Sequence, residues 1–125
     1  MSSQGRGGAL AAVVVALICL SLVLEVAQAK TYSVGANGWK PGCITWPRKM
    51  RFKAGDYLVF NFPPEVHNVV VVNRAQYRSC TAPPENVRRY FTGNDRIKLV
   101  KGMNYFMCTY PGHCQAGMRM AIKAR

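Results

Sequence analysis

Met103-Asn-Tyr-Phe-Met-Cys108-Thr-Tyr-Pro-Gly-His113-Cys-Gln-Ala-Gly-Met118-Arg-Met-Ala-Ile-Lys123 reads as strand, loop, strand. In the last run Met118, Met120 and Ile122 share one face, while Arg119 and Lys123 occupy the other. A period of two with one apolar face belongs to a sheet buried on one side. Between the strands, Pro111, Gly112 and Gly117 mark a loop that offers a thiolate, an imidazole and a thioether at Cys108, His113 and Met118. These donors together suit copper: thiolate and thioether favour Cu(I), and imidazole also accepts Cu(II). A site that holds both states with little rearrangement meets the main requirement of electron exchange.

Such a site is one strong donor short. The chain has two histidines, and the other, His67, opens the run Asn68 to Val72 directly after Pro63-Pro64. A lone histidine is more often structural than a ligand. In a two-sheet sandwich, however, that strand end can lie beside the Cys108 loop, and one site then accounts for both histidines. A competing reading uses Cys43, Cys80, Cys108 and Cys114 for two disulfides and no metal, since four cysteines allow three full pairings. It leaves the spacing of His113 and Met118 without a role.

Further runs rich in Val, Phe and Tyr recur at Thr31–Val34, Arg51–Lys53, Tyr57–Phe62, Asn68–Val72, Val87–Phe91 and Arg96–Leu99. Short strands at this spacing predict an all-β sandwich or barrel. Lys53-Ala-Gly-Asp56, Phe91-Thr-Gly-Asn94 and Val100-Lys-Gly-Met103 supply the turns, and only Arg74 to Cys80 reads as helical. Trp39, Trp46, Phe60, Phe62, Phe106, Met50, Met103 and Met107 are expected to pack in the core or against loops.

Residues 1–29 read as a signal peptide: Arg6, the apolar stretch Ala9 to Leu24, then Ala27-Gln28-Ala29 as a cleavage pattern. The alternative, a membrane anchor, is disfavoured by Glu25, by that motif and by strand-like sequence immediately after it. Residues 30–125 suffice for one domain and keep sixteen of the Lys and Arg against four acids, a formal net charge of +12. That balance predicts anionic partners. Nucleic acid is disfavoured by secretion and by the spread of the charges, because only Arg48, Lys49, Arg51 and Lys53 cluster, interleaved with Met50 and Phe52. Asp56, Glu65, Glu85 and Asp95 are scattered and offer no acid/base pair, so no enzyme is expected. No N-glycosylation sequon is present.

With these residues in view the sequence resembles the phytocyanins, plant blue copper proteins of the cupredoxin fold. The resemblance covers Lys30 to Arg125. It rests on Tyr32-Ser-Val-Gly, Arg51-Phe-Lys-Ala-Gly-Asp, Leu58-Val-Phe-Asn-Phe, His67-Asn-Val-Val-Val-Val-Asn, and Tyr105 through Met118. Met118 stands where stellacyanins carry Gln. With the positive charge and the lack of a C-terminal linker and anchor, it points to the plantacyanin branch.

The resemblance implies a cupredoxin-like Greek-key β-sandwich with one or two short helices and one type 1 copper. His67, Cys108 and His113 would form a trigonal plane, with Met118 as a long axial contact. Asn68 would hydrogen-bond between the ligand segments and tune the Cys108 sulfur, and Cys80 would pair with Cys114. Cys43 departs from the pattern. It is read as a thiol buried near Trp39 and Trp46, with competition for Cys80 or Cys114 left open.

The expected role is one-electron transfer by a secreted monomer in the apoplast or cell-wall matrix, with His113 as the electron port. Beyond a redox partner, the expected contacts are anionic polysaccharide, cell wall or acidic protein, with no nucleic acid and no membrane anchor. The alternative is an extracellular signalling or matrix-binding module, of the kind associated with pollen tube guidance, acting through its basic surface.

Overall fold

The structure is a computed structural model that describes residues 2–125, with the side chains of residues 7–20 and 28–125. Helix α1 (Ser2–Ala27) is followed by β1 (Thr31–Ser33), a 3-10 helix (Cys43–Lys49), β2 (Tyr57–Asn61) and β3 (Val69–Val72). After these come α2 (Arg74–Ser79), β4 (Arg88–Tyr90), β5 (Asn94–Lys98), β6 (Gly102–Met107) and β7 (Arg119–Ala124). Along α1, Leu10, Val13, Val14, Val15, Leu17, Ile18 and Leu20 are exposed. Among the described residues no helix is long and apolar enough to cross a membrane. Arg6, Glu25 and Ala27, on which the leader reading draws, have side chains outside the described set.

Two sheets face each other. One has the order β1-β2-β5 and the other β4-β3-β6-β7. In the first, β1 runs parallel to β2 with Tyr32 opposite Leu58, and β5 runs antiparallel with Ile97 opposite Leu58. Alternation then sends Leu58, Phe60 and Ile97 inward and leaves Arg96 and Lys98 in solvent. From the second sheet Val69, Phe106, Met120 and Ile122 meet them, with Trp39 closing one end of the core. The Trp39 and Phe60 rings meet edge to face at 5.1 Å, the arrangement the ring quadrupoles prefer. Burying each such side chain stabilises by about 1.5–3 kcal/mol. Truncating Phe106 to Ala would cost about 3–5 kcal/mol.

The β3 run is apolar on both faces because both are covered. Val69 joins the main core, while Val70 and Val72 join a second cluster with Met107 and Cys114, under Tyr77 of α2. The helix starts at a capping box in which the Asn73 side chain accepts the Gln76 N–H and Gln76 Oε1 accepts the Asn73 N–H, both at 2.9 Å. It ends at Cys80, which turns left-handed at φ 54° and is bonded to Cys114. Among the described residues, every member of both clusters lies within 32–124.

Three local readings need correction. Arg51 to Lys53 is not a strand, since only Phe52 pairs, in an isolated bridge to Ala124. Cys43–Lys49 coils into a 3-10 helix, so Arg74 to Cys80 is not alone in being helical within residues 30–125. Met103 is 46% exposed: it shares the outer face of β6 with Tyr105 and Met107, but only the latter two lie in the cluster beneath Tyr77.

Candidate metal centre

The Asn104, Phe106, Cys108 face of β6 points inward by simple alternation, so Cys108 reaches the core end with none of its surface exposed. Its N–H donates to the Met118 carbonyl at 3.0 Å, which closes the loop between β6 and β7. Inside that loop the His113 N–H donates to Tyr110 O at 3.1 Å and the Met118 N–H to His113 O at 3.0 Å. Gly117 adopts φ +87°, and a Cβ there would lie 3.2 Å from the Gly42 nitrogen and 3.3 Å from Ile44 Cγ2. The 3-10 helix therefore packs directly on the loop, and the Ile44 N–H donates to Gly117 O at 3.0 Å.

His67 arrives from the other side. The turn at Pro63 takes both the Val66 and His67 N–H groups at 3.2 Å and delivers the ring to the Cys108 loop. His67 Nδ1 lies 3.1 Å from His113 Nδ1, and that same His113 atom lies 3.5 Å from Cys108 Sγ. Donor atoms of His67, Cys108 and His113 all fall within 4.8 Å of one another. Both histidines are half-buried and the cysteine is fully buried. Met118, also fully buried, is tied by backbone bonds to Cys108 and His113.

Asn68 fastens the two halves together. Its Oδ1 accepts the Thr109 N–H at 2.9 Å, its Nδ2 donates to Thr109 Oγ1 at 2.8 Å, and its carbonyl accepts the Trp39 indole N–H at 2.9 Å. Thr109 and the Trp39 N–H were not singled out in the sequence, because neither residue type nor spacing announces a hydrogen-bond partner so distant in the chain. Arg119 adds a third tie. Its guanidinium donates to the Tyr77 and Arg78 carbonyls of α2 at 2.8 and 3.3 Å. Cys80 and Cys114 form a disulfide with Cα atoms 5.7 Å apart, the pairing the resemblance implies. Cys43 is a buried free thiol and competes for neither partner.

Burial acts on the two donors in opposite senses, keeping the proton on Cys108 and off His67. Burial pushes the Cys108 thiol above its usual range, partly offset by bonds from the Asn68 and Tyr110 backbone. Burial, then the neighbouring His113, pushes His67 below the usual imidazole range, with a bond involving the Val66 backbone acting the other way. A neutral imidazole is the ligating form. Two nitrogens and a sulfur converging within 4.8 Å make a soft, mixed donor set suited to copper.

Residues 39–118 match the plastocyanin-like domain. The chain belongs to the plastocyanin-like family. Chemocyanin of Lilium longiflorum is 46% identical over 125 residues, which cover 98% of each chain. Basic blue protein of Arabidopsis thaliana is 41% identical over 128 residues, again 98% of each. Among solved structures, cucumber basic protein, a blue copper protein, superposes with a TM-score of 0.73 at 47% identity, covering 76% of this chain and 99% of that one. Spinach plantacyanin gives 0.67 at 45% identity, covering 76% and 99%. Within this plastocyanin-like family the fold is that of the cupredoxins and the relatives are phytocyanins, the basic blue proteins among them.

Proposed function

We propose that residues 30–125 form a secreted, mononuclear type 1 copper protein that carries one electron, with His67, Cys108, His113 and Met118 as the donors. The convergence of His67, Cys108 and His113 within 4.8 Å carries this reading. When bound, copper supplies one-electron exchange between Cu(I) and Cu(II). The protein's part is to hold the donors still. Asn68 fixes the His67 strand to Thr109, beside Cys108, while the loop bonds fix His113 and Met118. Cys108 gives up its proton on loading. His113, half-exposed on the loop, serves as the port to a redox partner. The role is transport of charge and not catalysis.

The test is copper reconstitution of the secreted protein. An intense blue thiolate charge-transfer band that vanishes in Cys108→Ser is expected; a colourless protein indifferent to copper would overturn the reading.

A second reading concerns the partner. Asp56 and Asp95 are buried, at 2% and 6% exposure, with their carboxylates taken by local N–H and hydroxyl groups. Glu65 and Glu85 are then the exposed acids of residues 30–125. A groove of roughly 530 Å³ is lined by Lys30, Arg51, Lys53 and Arg125, against the single acid Asp56. It suits an acidic polysaccharide of the extracellular matrix. Neutralising Arg48, Lys49, Arg51 and Lys53 should release the protein from such a matrix while leaving the blue band intact.

A further inference from the structure

Asp56 is 98% buried, and the copper chemistry makes no use of it. Its Oδ2 accepts the Lys53 N–H at 2.8 Å, and its Oδ1 accepts the backbone N–H of Lys30 at 3.0 Å. Two neutral amides thus hold the carboxylate, which borders the groove lined by Lys30, Arg51, Lys53 and Arg125, a setting that favours a further cationic partner. Lys30 is the residue that follows Ala27-Gln28-Ala29. It is also pinned from its other side, because the Tyr57 N–H donates to the Lys30 carbonyl at 2.8 Å and Thr31 opens β1 opposite Tyr57.

We propose that Asp56 is the receptor for the mature N-terminus: cleavage between Ala29 and Lys30 turns the Lys30 amide into an α-ammonium that pairs with the Asp56 carboxylate. This rests on the reading of residues 1–29 as a removed leader. The step is a hydrolysis by a leader-removing peptidase. Water adds across the Ala29–Lys30 peptide bond, Ala29 departs with the new carboxylate, and the Lys30 nitrogen takes up a proton. The hydrogen bond already in place then becomes charge-assisted, which roughly doubles its strength.

Position is strict. A cut after Ala27 would leave Gln28 and Ala29 in the groove that Gln28 already lines, with Lys30 still an amide. Only a chain beginning at Lys30 puts the charge on Asp56. Removal of the leader thereby adds stability to the domain it releases and clears the basic groove.

Four proteins test this: the chain starting at Lys30, the same chain extended by Ala29, and each of these with Asp56→Asn. The Lys30 chain should melt roughly 4–8 °C above the extended one, and Asp56→Asn should abolish the difference. Equal melting temperatures, or a difference that survives Asp56→Asn, would overturn the ion pair. Should Asp56→Asn fail to fold, acylation of the native Lys30 chain decides. The α-amine should react at least about tenfold more slowly than in the denatured chain, and equal rates would refute the pairing. Mass analysis of the naturally secreted protein tests the boundary independently: a start at Lys30 supports it, and any other start refutes it. The blue band stands or falls separately from all of these.

Discussion

Cys43 and Cys108 are both buried free thiols, at 5% and 0% exposure, and burial raises both above their usual range. Their neighbours differ. Cys43 Sγ donates to the Gly38 carbonyl at 3.4 Å and accepts the Lys40 N–H at 3.5 Å, inside a loop that offers no imidazole. Cys108 sits among two imidazoles whose Nδ1 atoms face each other. Burial alone makes a thiol inert; it takes convergent donors from another strand to make it a ligand. The same physical push thus yields a packing residue in one loop and the proposed metal donor in the other.

The sharpest way to break this comparison is to exchange the outcomes. Cys108→Ala should abolish the blue band and specific copper uptake, whereas Cys43→Ala should leave both unchanged in a copper titration. Loss of the band in Cys43→Ala would end the contrast. Next in size, replacing Cys80 and Cys114 together by Ser should cost about 3–4 kcal/mol in denaturant unfolding, because the bond closes a loop of 34 residues' separation. The double variant should still bind copper, more weakly, if the disulfide positions His113 without being part of the donor set.

Asn68→Ala comes third. It leaves the Thr109 N–H without its acceptor, at a cost of about 1–3 kcal/mol, and should shift the charge-transfer band by loosening Cys108 against His67. A fourth check uses protons. Since the Cys108 thiol is raised, it is protonated at neutral pH before loading, and copper binding should release its proton. Affinity should therefore rise with pH by about one decade per unit near neutrality. Calorimetry in buffers of different ionisation enthalpy reads this directly. The smallest effect is expected at Cys43 itself: Cys43→Ala should cost about 1 kcal/mol, and alkylation of the native thiol should be far slower than after unfolding.

The sequence made some of this legible for identifiable reasons. Strands β2, β5, β6 and β7 were readable because period-two alternation maps onto burial, as with Leu58, Phe60 and Ile97. Arg51-Phe-Lys alternates as well, yet Phe52 finds a single bridge partner, and alternation cannot report whether a neighbouring strand exists. Cys43–Lys49 was opaque, since Pro47 and a two-turn 3-10 helix leave no periodic trace. Met103 has the right chemistry for burial but stands beyond the cluster under Tyr77. His67 was found by scarcity, as one of two histidines, and not by any local signature. The Asn68–Thr109 pair and the Trp39 bond to Asn68 depend on tertiary distance alone.

The ties that hold the donor loop have a consequence for the order of events. Cys80–Cys114, the Asn68–Thr109 bonds and the Arg119 bridge to α2 are all made between protein groups. A zinc finger, by contrast, gains its shape only on loading. Here the ties lie within the polypeptide itself, so the chain is expected to fold before it is loaded, and circular dichroism of the metal-stripped protein should match that of the copper form. A shortage would leave a pool of finished, colourless protein ready to be filled.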